Sequence, residues 1–336
     1  MKEYIGFDIG GTNIKAGTLL FFPDSAPQIS NVKYRDTDSN NGFESTYTNI
    51  LNFIVDYVKD KQPSSIGIGF PAAIGNEGEI MVAPNIPGWE NKQLKPLLEN
   101  DLAKILERNI SVYLENDANC AALAENLFVS QKYVVDSAKD TINSDSFLFI
   151  TLGTGIGMGI INKGELFKGS NGTAGEIGFT TLDIDSVDFD ARDFTDGTLE
   201  KNIANHVLIN SFRTKSKSLG LESTVSTAKE IFDIALTSKG KSDKNKLESN
   251  AEQYVQNYIQ YLSVGISSAI NLFGISKVIL GGGISLSMKG FSEELFEMIA
   301  YRLVPANRAS FQLSFSKLGR DAGIIGAASL NLRFNN

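Results

Sequence analysis

A chain of 336 residues, 42% hydrophobic and 21% charged, is too long for one small core and implies two domains of ordinary globular composition. Its formal net charge of −8 argues against a nucleic-acid partner, which calls for a basic face, and no apolar run nears the roughly 20 residues a membrane-spanning helix needs. The single cysteine, Cys120, excludes an internal disulfide and any multi-cysteine metal site; with no secretory pattern after Met1, the expected compartment is the cytoplasm.

Tyr4 to Asp8 reads as a strand running into glycines, with Ile14 to Leu20 as its hairpin partner across Gly10-Gly11. Ile50, Leu51, Ile54, Val55 and Val58 recur at helical spacing, which predicts a helix over Tyr47 to Lys59. Ser65 to Phe70 is a short buried strand ended by Pro71. Leu94 to Leu106 reads as a helix, Ile110 to Leu114 as a strand, and Asp117 to Leu127 as a helix. This alternation predicts a mixed α/β domain.

The pattern then restarts. Ser146 to Leu152 is a strand entering the turn Gly153-Thr154-Gly155-Ile156-Gly157, and Met158 to Asn162 leaves it as a strand. The unit echoes the opening hairpin and predicts two structurally related halves. The polar stretch Ser130 to Asp145 between them reads as an insertion or loop. Ser216 to Asn250, rich in lysine and serine around a helix at Thr227 to Leu236, reads as an exposed excursion. The short basic cluster Arg213 to Lys217 reads as solvated surface. Ala251 to Phe273 is a long amphipathic helix, and Val278 to Leu280 is a strand that ends in Gly281-Gly282-Gly283. Arg320 to Leu332 is a final helix rich in small residues for close packing.

Asp8-Ile9-Gly10-Gly11-Thr12-Asn13 carries the first chemical signal. Adjacent glycines let backbone N–H groups approach an anion, and Thr12 adds a hydroxyl. Asp8 at the strand end is suited to hold Mg²⁺, directly or through water. An ordinary Gly-Gly hairpin fits the same residues. The second turn, Gly153 to Gly157, repeats this chemistry. A dinucleotide fingerprint is rejected there because a strand, not a helix, follows the glycines. The two hairpins together read as two jaws on the same phosphates. Gly281 to Gly283 would let the backbone approach a flat ligand such as adenine, although a tight strand-to-helix turn explains it equally.

Glu115-Asn116-Asp117 lies at a strand-to-helix junction, the usual ligand crevice of an α/β unit. Either Asn116 or Asp117 can cap the helix, and a carboxylate there can take a proton from an attacking hydroxyl. Glu176, between Gly175 and Gly178, can bind paired sugar hydroxyls or cap a turn. Glu200 has no local signal. His206, the only histidine, falls in a helix and is expected to be structural.

Together, FDIGGTNIKAG (Phe7 to Gly17), GIGFPAAI (Gly67 to Ile74), APNIPGWEN (Ala83 to Asn91), ENDANCAALAE (Glu115 to Glu125), TLGTGIGMGIINKGELFKG (Thr151 to Gly169), GTAGEIGF (Gly172 to Phe179), VILGGGIS (Val278 to Ser285) and GRDAGIIGAA (Gly319 to Ala328) resemble the ROK family (repressors, open reading frames and kinases) of the actin-like ATPase superfamily. The resemblance implies an α/β fold of two actin-like ATPase (ribonuclease H-like) domains with a central cleft. The smaller would comprise residues 1–118 with a returning helix at 320–336, and the larger residues 119–319. It implies ATP and Mg²⁺ as cofactors, a small-molecule sugar as substrate, and a homodimer. It makes Asp117 the general base and Asn85, Asn116, Asp117, Glu176 and Glu200 the sugar-contacting set. Asp8, Gly10, Gly11, Thr12, Asn13 and Lys15 would form the first phosphate loop, Gly153, Thr154 and Gly155 the second, and Gly281, Gly282 and Gly283 the nucleoside side.

The chain departs from the family where most members carry a histidine and three zinc-binding cysteines. Phe179 stands at the histidine position, and Ala191, Asp193 and Thr198 align with the cysteines, so no zinc site is expected. Glu200 keeps the closing glutamate, on a segment expected to be held by hydrophobic packing. The expected activity is ATP-dependent phosphorylation of a hexose hydroxyl, of glucokinase type. The alternatives are an N-acetylhexosamine or fructose kinase and, from another class, a non-catalytic sugar-binding regulator. A DNA-binding repressor is disfavoured because only seven residues precede Asp8.

Overall fold

The computed structural model describes residues 1–22, 25–83, 86–130, 145–191, 193–221 and 224–334. The chain divides into two compact units. One comprises Met1–Phe149, Gly159–Gly175 and Leu318–Asn336; the other comprises Ile150–Met158 and Glu176–Lys317.

The elements run in the order β1 (Lys2–Ile9), β2 (Asn13–Phe22), β3 (Ser25–Asp36), α1 (Gly42–Val58), β4 (Ser65–Phe70), β5 (Ala73–Ile74), β6 (Ile80–Val82), α2 (Leu94–Leu106), β7 (Ser111–Asn116) and α3 (Asp117–Ser130). A five-stranded sheet has the order β3-β2-β1-β4-β7. β1 and β2 form the expected antiparallel hairpin, with Asp8 opposite Lys15. β4 runs parallel to β1, and β7 parallel to β4, with Phe70 opposite Asn116. Ile5 to Phe7 and Ile66 to Phe70 are buried without alternation because helices cover both faces of these central strands. On one face α1 brings Phe53 and Tyr57 edge-on to Phe7, with ring centroids 6.2 and 5.6 Å away.

On the other face lies the C-terminal helix, α11 once those between are counted. The second half continues with β8 (Phe147–Leu152), β9 (Ile156–Asn162), β10 (Glu165–Leu166), α4 (Leu199–Ile203), α5 (Asn205–Ser218), α6 (Ala228–Ser238), α7 (Lys246–Phe273), β11 (Lys277–Gly281), α8 (Ser285–Met288), α9 (Ser292–Arg302), α10 (Pro305–Ser310), β12 (Gln312–Phe315) and α11 (Ala322–Phe334). The small residues of α11 permit the close packing expected of them. A Cβ on Gly326 would collide with the Cys120 carbonyl of α3, and one on Gly6 would collide with the Ile324 carbonyl.

The second sheet has the order β10-β9-β8-β11-β12. Numbered within each half, both sheets read 3-2-1-4-5, so the echo between the two glycine hairpins is a topological repeat. β3 is not evident from the sequence: it is an edge strand with Pro27, mostly polar, whose role is to pair rather than to fill a core.

Three expectations are corrected. The helix within Ser216 to Asn250 is no exposed excursion, because Ile231, Phe232 and Ala235 of α6 are fully buried and Phe232 meets Tyr258 of α7 at 5.3 Å. Lys229, the one lysine of α6, is exposed. α7 begins at Lys246, five residues before Ala251, where Asn245 and Glu248 form a reciprocal capping box. His206 is exposed on α5 and plays no part in a core. The expected loop at 130–145 falls almost entirely outside the described residues.

Candidate active site

In the first unit, the turn from Gly10 to Thr12 is tied down by its carbonyls. Gly10 O accepts from Thr37 Oγ1 at 2.6 Å, Gly11 O from Ser39 Oγ at 2.6 Å, and Thr12 O from Thr37 N at 2.8 Å. Three consecutive carbonyls of the turn are thus held by the Thr37–Ser39 segment. At the end of β1, Asp8 Oδ2 pairs with Lys15 Nζ at 2.9 Å, and its side chain is 15% exposed. Lys15 also reaches Arg320 O at 3.4 Å. A Cβ on Gly323, in the first turn of α11, would fall 2.5 Å from the Asp8 carboxyl carbon. The carboxylate therefore sits against a helix N-terminus, where negative charge is favoured.

One hard-oxygen carboxylate beside a glycine turn fits Mg²⁺, which takes one or two protein carboxylates and completes its shell with phosphates and water. Among the described residues no group of three or more His, Cys, Asp or Glu side chains is arranged to hold a metal.

At the β7–α3 junction, the capping choice falls on Asn116. Its Oδ1 accepts from Ala118 N at 2.9 Å and Asn119 N at 3.1 Å, and its Nδ2 donates to Ala72 O at 3.0 Å. That leaves one amide N–H of Asn116 for a ligand. Asp117 is half-buried, and its Oδ1 accepts from Ala118 N at 2.8 Å. Glu115, which carries no assigned role from sequence, is 4% exposed. Its Oε1 accepts from Asn116 N at 2.9 Å and Asn119 Nδ2 at 3.0 Å, and its Oε2 pairs with Lys168 at 3.0 Å. A lone acid on a strand is a weak hint of such a pair, and nothing local marks Lys168. Asn85 lies outside the described residues.

In the second unit, Gly153 N donates to Gly155 O at 3.0 Å, closing a tight turn. Ile284 N donates to Leu152 O at 3.2 Å, and Gly282, at φ 85°, lies so close that a Cβ would collide with that carbonyl. Only glycine meets both demands. The structure thus brings Gly153–Gly155 and Gly281–Gly283 together. Glu200, in the first turn of α4, accepts from Ile156 N at 2.7 Å through Oε2, and a Cβ on Gly155 would fall 2.5 Å from that oxygen. Burial, and then the Glu200 carboxylate, push the Glu176 carboxyl up to about 7.

The model of the ROK family matches residues 4–333. The chain belongs to the ROK family. A glucokinase of Halalkalibacterium halodurans is 30% identical over 98% of this chain and 94% of its own length. A xylose repressor of Bacillus subtilis is 26% identical over 97% of this chain and 76% of its own length. The crystal structure of a ROK hexokinase from Thermus thermophilus superposes with a TM-score of 0.70, at 26% identity over 99% of each chain. The fold is the two-sheet α/β fold of the ROK sugar kinases, of the actin-like ATPase type.

Phe179, Ala191, Asp193 and Thr198 are the residues expected from sequence at the positions of the family's zinc ligands. They do not fit Zn²⁺: none offers a thiolate or imidazole, and Asp193 accepts from Thr195 N at 2.9 Å and pairs with Lys201 at 3.5 Å. Other contacts hold the segment. Leu199 N donates to Thr180 O at 2.9 Å, Thr198 caps α4, and the rings of Phe179 and Phe194 lie 5.7 Å apart.

Proposed function

We propose that this ROK family protein is a sugar kinase that transfers the γ-phosphoryl group of ATP to a hydroxyl of a hexose, in the manner of a glucokinase. The observation that carries the reading is the β7–α3 junction. There Asn116 caps α3 through its Oδ1 and keeps one amide N–H for a ligand, and the Asp117 carboxylate stands at the first helical position, its Oδ1 accepting from Ala118 N at 2.8 Å. The glucokinase relative, similar over nearly the whole chain, supports the same activity.

Asp117 takes the proton of the sugar hydroxyl. The oxygen attacks the γ-phosphorus, and ADP leaves with the electron pair of the broken P–O bond. Asn116, Glu176, Glu200 and Asn85 hold the sugar's other hydroxyls. The turns at Gly10–Asn13 and Gly153–Gly155 meet the phosphates, with Lys15 beside the first, and Gly281–Gly283 meets the nucleoside. Asp8 would hold Mg²⁺, directly or through water, and the ion would supply positive charge against the phosphates. Residues 1–118 with 320–336, and residues 119–319, act as the two domains of a cytoplasmic homodimer. Among the described residues no helix is long and apolar enough to cross a membrane.

An N-acetylhexosamine or fructose is the alternative substrate, because Phe179 removes a hydroxyl partner and such losses change specificity strongly. The repressor relative favours a non-catalytic sugar-binding regulator; the retained Asp8 and Asp117 argue for catalysis. Incubation with ATP, Mg²⁺ and a panel of hexoses and N-acetylhexosamines separates these readings. Phosphorylation of at least one sugar is expected, and binding without turnover would favour the regulator.

A further inference from the structure

Glu115 is a nearly buried carboxylate that the proposed chemistry does not use. Both of its oxygens are engaged. Oε1 takes the N–H of Asn116, the residue immediately before Asp117, and the side-chain amide of Asn119, one turn into α3. Oε2 takes the ammonium of Lys168, whose side chain is about one-third exposed against 5% for the glutamate. A buried charge is tolerated when it is paired and hydrogen-bonded, as Glu115 is by three donors.

Lys168 is itself anchored. Its carbonyl accepts from Ala174 N at 3.1 Å, Ser170 O accepts from Asn76 Nδ2 at 2.7 Å, and Gly172 packs so tightly that an added Cβ would lie 2.5 Å from the Ile74 carbonyl oxygen. The strip from Ala72 to Asn76 returns to the starting point, because Ala72 O accepts from Asn116 Nδ2 at 3.0 Å. Glu115, Lys168, the 168–174 segment, residues 72–76 and Asn116 therefore form a closed ring of contacts, all within the first unit. The Glu115–Asn116 peptide, one residue ahead of Asp117, is one link of that ring.

We infer that Glu115 and Lys168 form a positioning pair that fixes the direction of Asp117 through the Asn116 backbone and the first turn of α3. This rests on the reading of Asp117 as the base. The pair touches no reacting atom; its effect is geometric, and displacement of a reacting group by about 1 Å can lower a rate by about 100-fold.

The test compares Lys168→Met, Glu115→Gln and the double variant in the sugar-kinase assay, with thermal unfolding measured on each. Lys168→Met leaves the Glu115 charge buried and unpaired, and is expected to lower kcat by about 10- to 100-fold while the KM for Mg·ATP stays within about threefold. In the double variant no charge is stranded, and the amide oxygen that Glu115→Gln introduces can still accept from Asn116 N and Asn119 Nδ2. Its kcat is expected to return to within about fivefold of wild type. If Lys168→Met does not fold, Glu115→Gln and the double variant carry the comparison. Both are expected to fold, with the double variant's kcat no lower than that of Glu115→Gln. A Lys168→Met kcat equal to wild type, or a double variant as slow as Lys168→Met, overturns the pair and leaves the kinase reading intact. No turnover by the wild type with any sugar overturns both.

Discussion

The Glu200 carboxylate accepts a hydrogen bond from the backbone N–H of Ile156 at 2.7 Å, and an added Cβ on Gly155 would lie 2.5 Å from the same oxygen. A residue proposed to hold the sugar thus also braces a turn proposed to hold phosphates. Glu200→Ala strands the Ile156 N–H, which costs about 1–3 kcal/mol where no water replaces the acceptor. Steady-state kinetics should show the KM for ATP rising together with the KM for sugar, and Glu200→Gln, which keeps an acceptor, should be milder. A change confined to the sugar KM would remove the bracing role.

Gly155→Ala tests the same contact from the turn. The methyl group would displace either the carboxylate or the turn, so affinity for ATP should fall by about 10-fold or more, given an overpacking cost of about 1–3 kcal/mol. Unchanged nucleotide affinity, read by calorimetry, would contradict the close packing.

Glu176 gives a pH signature. Desolvation of this half-buried side chain, and then the Glu200 carboxylate, push its carboxyl up to about 7. Folding therefore favours the protonated form. This residue's contribution to stability is full below about 4.5, declines as pH rises through about 7, and is constant above that. Wild-type Tm should fall over that window more steeply than the Tm of Glu176→Gln. Identical pH dependence in the two proteins would exclude the shift. As an acceptor for sugar hydroxyls, Glu176 should also make sugar binding tighten as pH rises through about 7.

Asp117→Asn keeps the shape of the side chain and removes the base. Its kcat should drop by about 10²–10⁴-fold with sugar affinity largely retained. Near-normal turnover would take Asp117 out of the mechanism.

Elemental analysis of the purified protein should find no stoichiometric zinc, since Phe179, Ala191, Asp193 and Thr198 supply neither thiolate nor imidazole. Stoichiometric zinc would require another set of ligands.

The fold was legible wherever local pattern coincides with tertiary role. The β1–β2 hairpin, β4 and α2 announce themselves by glycine punctuation and apolar period, and the echo between the two glycine turns, too weak in sequence to count as a repeat, is matched by an identical strand order in the two sheets. What escaped depends on partners distant in sequence. β3 is polar because it lies at an edge. α6 reads as exposed until α7 covers its other face. Glu115 looks like one acid among three polar neighbours until Lys168, far along the chain, meets it at 3.0 Å. At the junction itself, sequence offered two caps, and Asn116 is the one that accepts from both Ala118 N and Asn119 N.

The most direct test of the account is turnover of the purified protein with ATP and Mg²⁺ on a panel of hexoses and N-acetylhexosamines, read as sugar phosphate formed per ADP released. The account predicts at least one sugar phosphorylated with one ADP per sugar phosphate, and loss of that activity in Asp117→Asn. ADP release with no sugar phosphate, or no turnover with any sugar, would contradict it.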